Sequence, residues 1–262
     1  MRLIFLGDVV GEPGRLALYR AVPELRAEHA PALVVVNGEN AAGGRGITPW
    51  LCEEFFANGV DIITLGDHAW DQKDLAGWID REPRVLRPFN LQAGTPGRGS
   101  VLVDTPAGKV GVLCLCGRTF MAPGPENPFT AARAEVARLR AAGARALLVD
   151  IHGEATSEKI AMAHCLDGEA TAVLGTHTHV QTADARVLPG GTAAMTDVGM
   201  CGPRDGIIGR DSAAVLQGCL TAMPCKYPVG GWPARVSGAI VQVAPATGLA
   251  LSIQAINRDY DR

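Results

Sequence analysis

No Cys-x-x-Cys pair occurs among the seven cysteines of this 262-residue chain. That argues against a thiolate zinc site and against a thioredoxin-like redox pair. The cysteines are odd in number and scattered, as expected of a chain kept reduced. Cys114 and Cys116 sit in the apolar run VGVLCLCG, and the alternation of a strand would turn both to one buried side. No apolar stretch approaches about 18 residues, so no membrane-spanning helix is expected. The opening MRLIFLGDVVGEPG has a short apolar core followed by Gly-Asp, without the long apolar region of a secretory leader. A cytoplasmic protein is the expectation. No dense block of lysine or arginine is present and the formal net charge is −3, so duplex nucleic acid is not expected as a partner, whereas a nucleotide or the end of an RNA strand remains compatible. GDVVGEPG lacks the G-x-G-x-x-G spacing, which weighs against a dinucleotide-dependent dehydrogenase. Repeats, low-complexity segments and linkers are also missing. With 47% hydrophobic residues, residues 1–262 are read as one domain with a sizeable core.

What is present is an alternation of apolar runs with helical patterns. RLIFLGD precedes a helical pattern from about Glu12 to Glu28, and ALVVVNGEN precedes another that opens at Thr48-Pro49, a capping residue followed by proline at the first helical position. VDIITLGDHAWD precedes a short helix near Gln72–Ile79. Unbroken apolar strands between amphipathic helices indicate strands covered on both faces. GSVLVDTPAGKVGVLCLCG reads as a hairpin, NPFTAARAEVARLRAAGA as a helix ended by Gly143, and SEKIAMAHCL as a helix with Ser157 as its cap. RALLVDIHGE and ATAVLGTHTH read as strands, and the tail ARVSGAIVQVAPATGLALSIQAIN as a second hairpin. The expectation is an α/β fold with a mixed-sheet sandwich flanked by helices, and with Pro/Gly-rich surface loops near 117–128 and 199–210.

Only six histidines occur, and two stand one residue apart in LGTHTHVQ. Side chains at i and i+2 of a strand share a face, and a loop leaving a strand can also aim two rings at one point. Ligands in α/β folds gather where strands run out. Five apolar runs here run out in residues that hold metals or phosphates: Asp8; Glu39 and Asn40; Asp67 and His68; His152; His177 and His179. One such residue is ordinarily a turn or hydrogen-bonding residue. Five successive exits require that explanation five times over. His29 and His164 lie on helices and receive it. Carboxylates, amide oxygens and imidazoles suit manganese, iron and zinc rather than calcium. The donors are too many for one ion, which points to a pair of ions able to clamp a phosphoryl group.

In order and content these blocks resemble the calcineurin-like metallophosphoesterases. GTHTH stands where that superfamily has Gly-His-x-His, GDHAWD where it has Gly-Asn-His, and NGEN where it has Gly-Asp-x-x-Asp. The usual Asp-x-His of the first block is replaced by GDVVG. That departure, with NGENAAGG and HGEATSEK, is similar to the YmdB-like group, related to 2′,3′-cyclic-nucleotide phosphodiesterase.

The resemblance implies roles. Asp8, Asn40 and His179 would hold the first metal; His152, His177 and Asp67 the second; Glu39 would bridge both. His68 would protonate the leaving oxygen. Two divalent or trivalent ions are implied, iron or manganese first, with zinc or magnesium as alternatives, and an assembly of more than one subunit. The subfamily usually has Asn where this chain has Asp67. Two divalent cations against Asp8 and Glu39 leave a formal surplus of about +2, and Asp67 lowers it to about +1. Tighter metal and a weaker pull on an anionic phosphate follow. The implied reaction is attack on phosphorus by a bridging hydroxide and opening of a 2′,3′-cyclic nucleotide. A phosphomonoesterase with the same site is one rival. A regulatory protein that senses a nucleotide or contacts an RNA-processing enzyme is another.

Overall fold

A computed structural model describes residues 1–121 and 126–262. Two β-sheets lie face to face between two layers of helices. The first sheet is built on β1 (Arg2–Leu6), β3 (Leu33–Asn37), β4 (Ile62–Thr64) and β5 (Val85–Leu86), which are parallel. On the other side β1 pairs antiparallel with β13 (Ala234–Val243), which pairs with β14 (Ala250–Tyr260) and β12 (Met200–Pro203). The two-residue β2 (Asp8–Val9) closes that edge against β12. The second sheet runs β10 (Arg186–Val187), β11 (Ala193–Met195), β9 (Ala172–Thr176), β8 (Ala146–His152), β7 (Gly108–Cys116), β6 (Ser100–Thr105). From β11 to β7 it is parallel. The mixed sandwich expected from the unbroken apolar runs is what the chain forms.

Those runs are explained by three cores. Leu3, Phe5, Leu33 and Val35 meet Cys114, Leu148 and Leu174 between the sheets. The alternate residues Ile4, Leu6, Val34 and Val36 face α1 (Gly11–His29) and α2 (Pro49–Ala57). Leu113, Leu115, Leu147 and Val149 face α4 (Pro128–Ala141) and α5 (Thr156–Cys165). A strand apolar on both faces fits only such a double cover. The helices start as their caps dictate: the Thr48 side chain accepts from Leu51 N, and Asn127 from Phe129 N and Thr130 N. The short helix in the 70s is α3 (Lys73–Ala76), followed by one 3₁₀ turn (Ile79–Arg81).

Three expectations need correction or limits. Ser157 is not the cap of α5: Thr156 is already helical, the cap position falls on Ala155, and no side chain caps it. The stretch 199–210 is not all loop, because Met200–Pro203 forms β12 between β13 and β2, with Pro203 at its end where a missing N–H is tolerated. Of the loop expected over 117–128, residues 122–125 lie outside the described residues. Last, α6 (Ser212–Thr221) is a helix with exposed Leu216 and Leu220.

Candidate metal centre

The parallel strands β1, β3, β4, β8 and β9 discharge toward one edge of the sandwich, and all eight singled-out residues meet there. Asp8 opens β2 just past β1. Glu39 and Asn40 follow β3 by two and three residues, and Asp67 and His68 follow β4. His152 is the last residue of β8, and His177 and His179 lie just beyond β9. Asp8, Glu39, Asn40 and His152 are buried. Gly66 makes the closeness workable, since a Cβ there would lie 2.3 Å from Glu39 Oε2 and 2.4 Å from His152 Nε2.

One oxygen or nitrogen each of Glu39, Asp67, His152 and His177 lies within 4.8 Å of the others. His152 Nε2 is central, 3.0 Å from Asp67 Oδ1, 3.2 Å from Glu39 Oε1 and 3.0 Å from His177 Nδ1. Asp8, Asn40 and His179 adjoin this group. Asp8 Oδ1 is 3.9 Å from His179 Nε2 and 3.8 Å from His152 Nδ1. The Asn40 amide nitrogen is 3.2 Å from both His179 Nε2 and Glu39 Oε1. Turned end for end, that amide offers its oxygen to the same place.

Three features fit this set to cations. First, Asp8 Oδ1 is a buried oxygen without a hydrogen-bond partner, a costly state for a carboxylate. Second, each of the three inward histidines has its other ring nitrogen occupied. Thr176 Oγ1 donates to Asp150 Oδ1 at 2.7 Å, so at 2.9 Å it must accept from His152 Nδ1–H, which leaves Nε2 with its lone pair inward. His177 Nε2 faces Glu154 at 3.3 Å, leaving Nδ1 inward. His179 Nδ1 donates to the Ile208 carbonyl at 3.0 Å, leaving Nε2 inward. A satisfied outer N–H with an inward lone pair is how proteins prepare imidazole ligands. Third, the carboxylates draw positive charge to this point. Burial pushes the Asp8 carboxyl up. Burial also acts to raise Glu39 and Asp67, but His152 outweighs it for Glu39, and His152 with His177 for Asp67, so both lie below the usual range. Reciprocally, burial disfavours a charged His152, yet Glu39, Asp67 and Asp8 pull it well above the ordinary value.

The paired histidines are aimed by a loop, not by strand alternation. His177 has φ 98° and His179 φ 65°, conformations uncommon for residues with a Cβ. The surroundings over-determine them. His177 N–H donates to Asp8 Oδ2 at 3.2 Å, and Thr178 donates to Asp197 Oδ2 through N–H at 3.0 Å and hydroxyl at 2.8 Å. Asp197 is held in turn by the buried Lys159, whose ammonium donates to Asp197 Oδ2 at 2.9 Å and to the Thr176 carbonyl at 3.1 Å.

His68 stands apart from the inward ring set. Its backbone N–H donates to Glu39 Oε2 at 3.1 Å and its Nε2 is 3.9 Å from Asp67 Oδ2. Its Nδ1 faces Asp71 Oδ2 at 3.1 Å, and Arg45 Nε lies 2.9 Å from that oxygen. An open cleft of about 310 Å³ is lined by Glu39, Asn40, His68, His177, His179 and Arg210, within the usual size of small-ligand sites. The sequence reading did not single out Asp71, Glu154, Thr176 or Arg210. The first two stand inside the quoted blocks GDHAWD and HGEATSEK; Arg210 carries no local signal at all.

The family model described as YmdB-like protein matches residues 4–256. A Bacillus subtilis (strain 168) protein named 2′,3′-cyclic-nucleotide 2′-phosphodiesterase is 42% identical over 256 residues, covering 98% of this chain and 96% of that one. The crystal structure of a phosphatase from Mycoplasma pneumoniae superposes with TM-score 0.93 at 31% identity, covering 100% of this chain and 94% of that one. A 5′-nucleotidase precursor from Thermus thermophilus shares the fold at TM-score 0.61 and 14% identity, over 98% of this chain and 54% of its own.

Proposed function

The chain belongs to the YmdB-like family, and from that premise we propose that it is a phosphodiesterase with a two-metal centre that opens 2′,3′-cyclic nucleotides. The observation that carries the reading is the convergence of three inward imidazole lone pairs on the unpartnered Asp8 Oδ1 and the carboxylates Glu39 and Asp67. Asp8, Asn40 and His179 are assigned to one ion, Asp67, His152 and His177 to the other, and Glu39 to both. Oxygen and imidazole donors without thiolate suit manganese, iron or zinc, and the family resemblance puts iron or manganese first. Bound there, the ions would supply Lewis acidity to the phosphoryl oxygens and make water nucleophilic near neutral pH.

The protein's own groups do the rest. The His179 and His177 loop and Glu39 fix the geometry on which the phosphate sits. Asp71 accepts from His68 Nδ1–H, which leaves Nε2 as the position that carries the mobile proton. As a water oxygen adds to phosphorus, its proton released to solvent, and the ester P–O bond breaks, His68 Nε2–H gives its proton to the departing ribose oxygen. The cleft, about 310 Å³, falls in the size range of small-ligand sites. A cyclic diester needs both an attacking water and a protonated leaving group, and the residues present supply the latter. The same reading takes the chain as one cytoplasmic domain, working in an assembly of more than one subunit.

A second reading, phosphomonoester hydrolysis by the same groups, has support in the Mycoplasma pneumoniae relative, which is named a phosphatase. Metal analysis of native protein, joined to turnover of 2′,3′-cyclic nucleotides against mononucleotides, decides between them. Hydrolysis of mononucleotides with none of the cyclic diesters would overturn the first reading.

A further inference from the structure

Arg210 stands in the cleft as a cation that pairs with no carboxylate among the described residues. Its Nη2 donates to the Gly44 carbonyl at 2.6 Å and its Nη1 reaches the Tyr227 carbonyl at 3.4 Å. Burial and the neighbouring Arg45 both act to lower its pKa, and no acidic group opposes them. Arg45, by contrast, is paired with Asp71. Carbonyls hold a guanidinium without neutralising it. Two of its five N–H donors are engaged, and three remain.

The position is built. Gly44 has φ 90°, and a Cβ there would lie 2.3 Å from Arg210 Nη1 and 2.8 Å from its Cζ. The glycines of NGENAAGG are thereby accounted for in part: the turn after Glu39 and Asn40 is left open where the guanidinium rests. On the other side, Ile207 and Arg210 exchange backbone hydrogen bonds at 2.9 Å in both directions. Between them, the Ile208 carbonyl accepts from His179 Nδ1 at 3.0 Å. One tight turn thus fixes both an inward histidine and Arg210 relative to the same cleft.

We propose that Arg210 is the phosphate anchor of this cleft, donating through its free N–H groups to a non-bridging oxygen of the phosphodiester substrate and of the phosphomonoester product. This rests on the phosphodiesterase reading above. A planar fork of donors matches phosphate oxygens. Because the product carries about one more negative charge than the diester, Arg210 holds product more tightly than substrate and tunes product release.

The test compares wild type, R210Q and R210K, each loaded with metal, with bis(4-nitrophenyl) phosphate as substrate and inorganic phosphate as ligand. R210Q keeps an amide donor and removes the charge. Its KM should rise about 10-fold or more, as expected for a lost hydrogen bond to a charged group. Calorimetric affinity for inorganic phosphate should fall at least as far, kcat should change less than KM, and metal content should stay at the wild-type value. R210K should recover part of the loss, and the salt sensitivity of KM should shrink in R210Q. Unchanged KM and phosphate affinity would overturn the proposal, as would loss of metal in both variants, which would make Arg210 a clasp for the His179 loop. Phosphate binding needs no turnover. A wild type inert to diesters, with phosphate affinity still dependent on Arg210, would therefore sink the phosphodiesterase reading and keep the anchor.

Discussion

The Thr176 hydroxyl fixes the tautomer of His152. It sits 2.9 Å from His152 Nδ1 and 2.7 Å from Asp150 Oδ1, and its single proton goes to the carboxylate. Thr64 Oγ1 and Asn37 Nδ2 also donate to Asp150, at 2.6 and 3.2 Å. Burial pushes the Asp150 carboxyl up to about 6, still on the ionised side at neutral pH. With Nδ1–H committed to Thr176, Nε2 is the His152 nitrogen that faces Glu39 and Asp67. Thr176→Val removes the acceptor at nearly constant volume. Its metal affinity should drop about 10- to 100-fold, the usual loss when a ligand's outer partner is removed. Competition with a chelator of known affinity measures it; wild-type affinity in the mutant would show that the tautomer is set by something else.

Glu39→Gln should empty the centre more completely than Asn40→Ala. Glu39 Oε1 lies 3.2 Å from both His152 Nε2 and Asn40 Nδ2, so on the proposed assignment its charge would serve both ions. Elemental analysis of the purified variants reads this directly. Two full equivalents retained by Glu39→Gln would remove its bridging role.

His68→Ala should keep its metals and lose about 10²- to 10⁴-fold in turnover of a nucleotide substrate, the range for a general acid. A nitrophenyl ester, whose leaving group needs no proton, should suffer less. Asp71→Asn should act in the same direction and more weakly, because it disturbs the orientation of the ring while leaving the proton donor in place. Equal losses on both substrates would mean that His68 positions rather than protonates.

Asp67→Asn exchanges a charged oxygen for a neutral one 3.0 Å from His152 Nε2. Metal should be held less tightly, and turnover per loaded site should rise. The sign for pH follows from the charge. Removing a negative group leaves the cations less screened, the attacking water ionises more easily, and the acid limb of the pH–rate profile moves to lower pH. Metal titration and rate profiles on the two proteins check it. Identical curves would take Asp67 out of the ligand set.

Much of this was legible in the chain itself. The unbroken runs LIFL, LVVV and ALLV pointed to strands buried on both faces, because only a covered strand can be apolar at every position. Polar residues after those runs marked the candidate site, because the C-terminal ends of parallel strands share one edge. Local rules also named the cap at Thr48, where a side-chain oxygen and a following proline act within a few residues. They failed at Ser157, where the turn leaving β8 started the helix two residues sooner. They failed again at Met200–Pro203, where strand pairing with distant β13 overrode a Pro/Gly-rich composition.

What the tertiary structure alone decided is which side of each candidate ligand faces inward. The sequence placed His152, His177 and His179 at strand ends, but an imidazole has two nitrogens. The choice between them belongs to Thr176, Glu154 and the Ile208 carbonyl. The Ile208 turn lies 29 residues from the histidine it orients. Arg210 reaches Gly44 across 166 residues, and Lys159 reaches Asp197 across 38. Periodicity and turn chemistry act over a few residues and so can be read along the chain. Hydrogen-bond partners brought together by packing two sheets have no such local trace, and they exist only once the fold has closed.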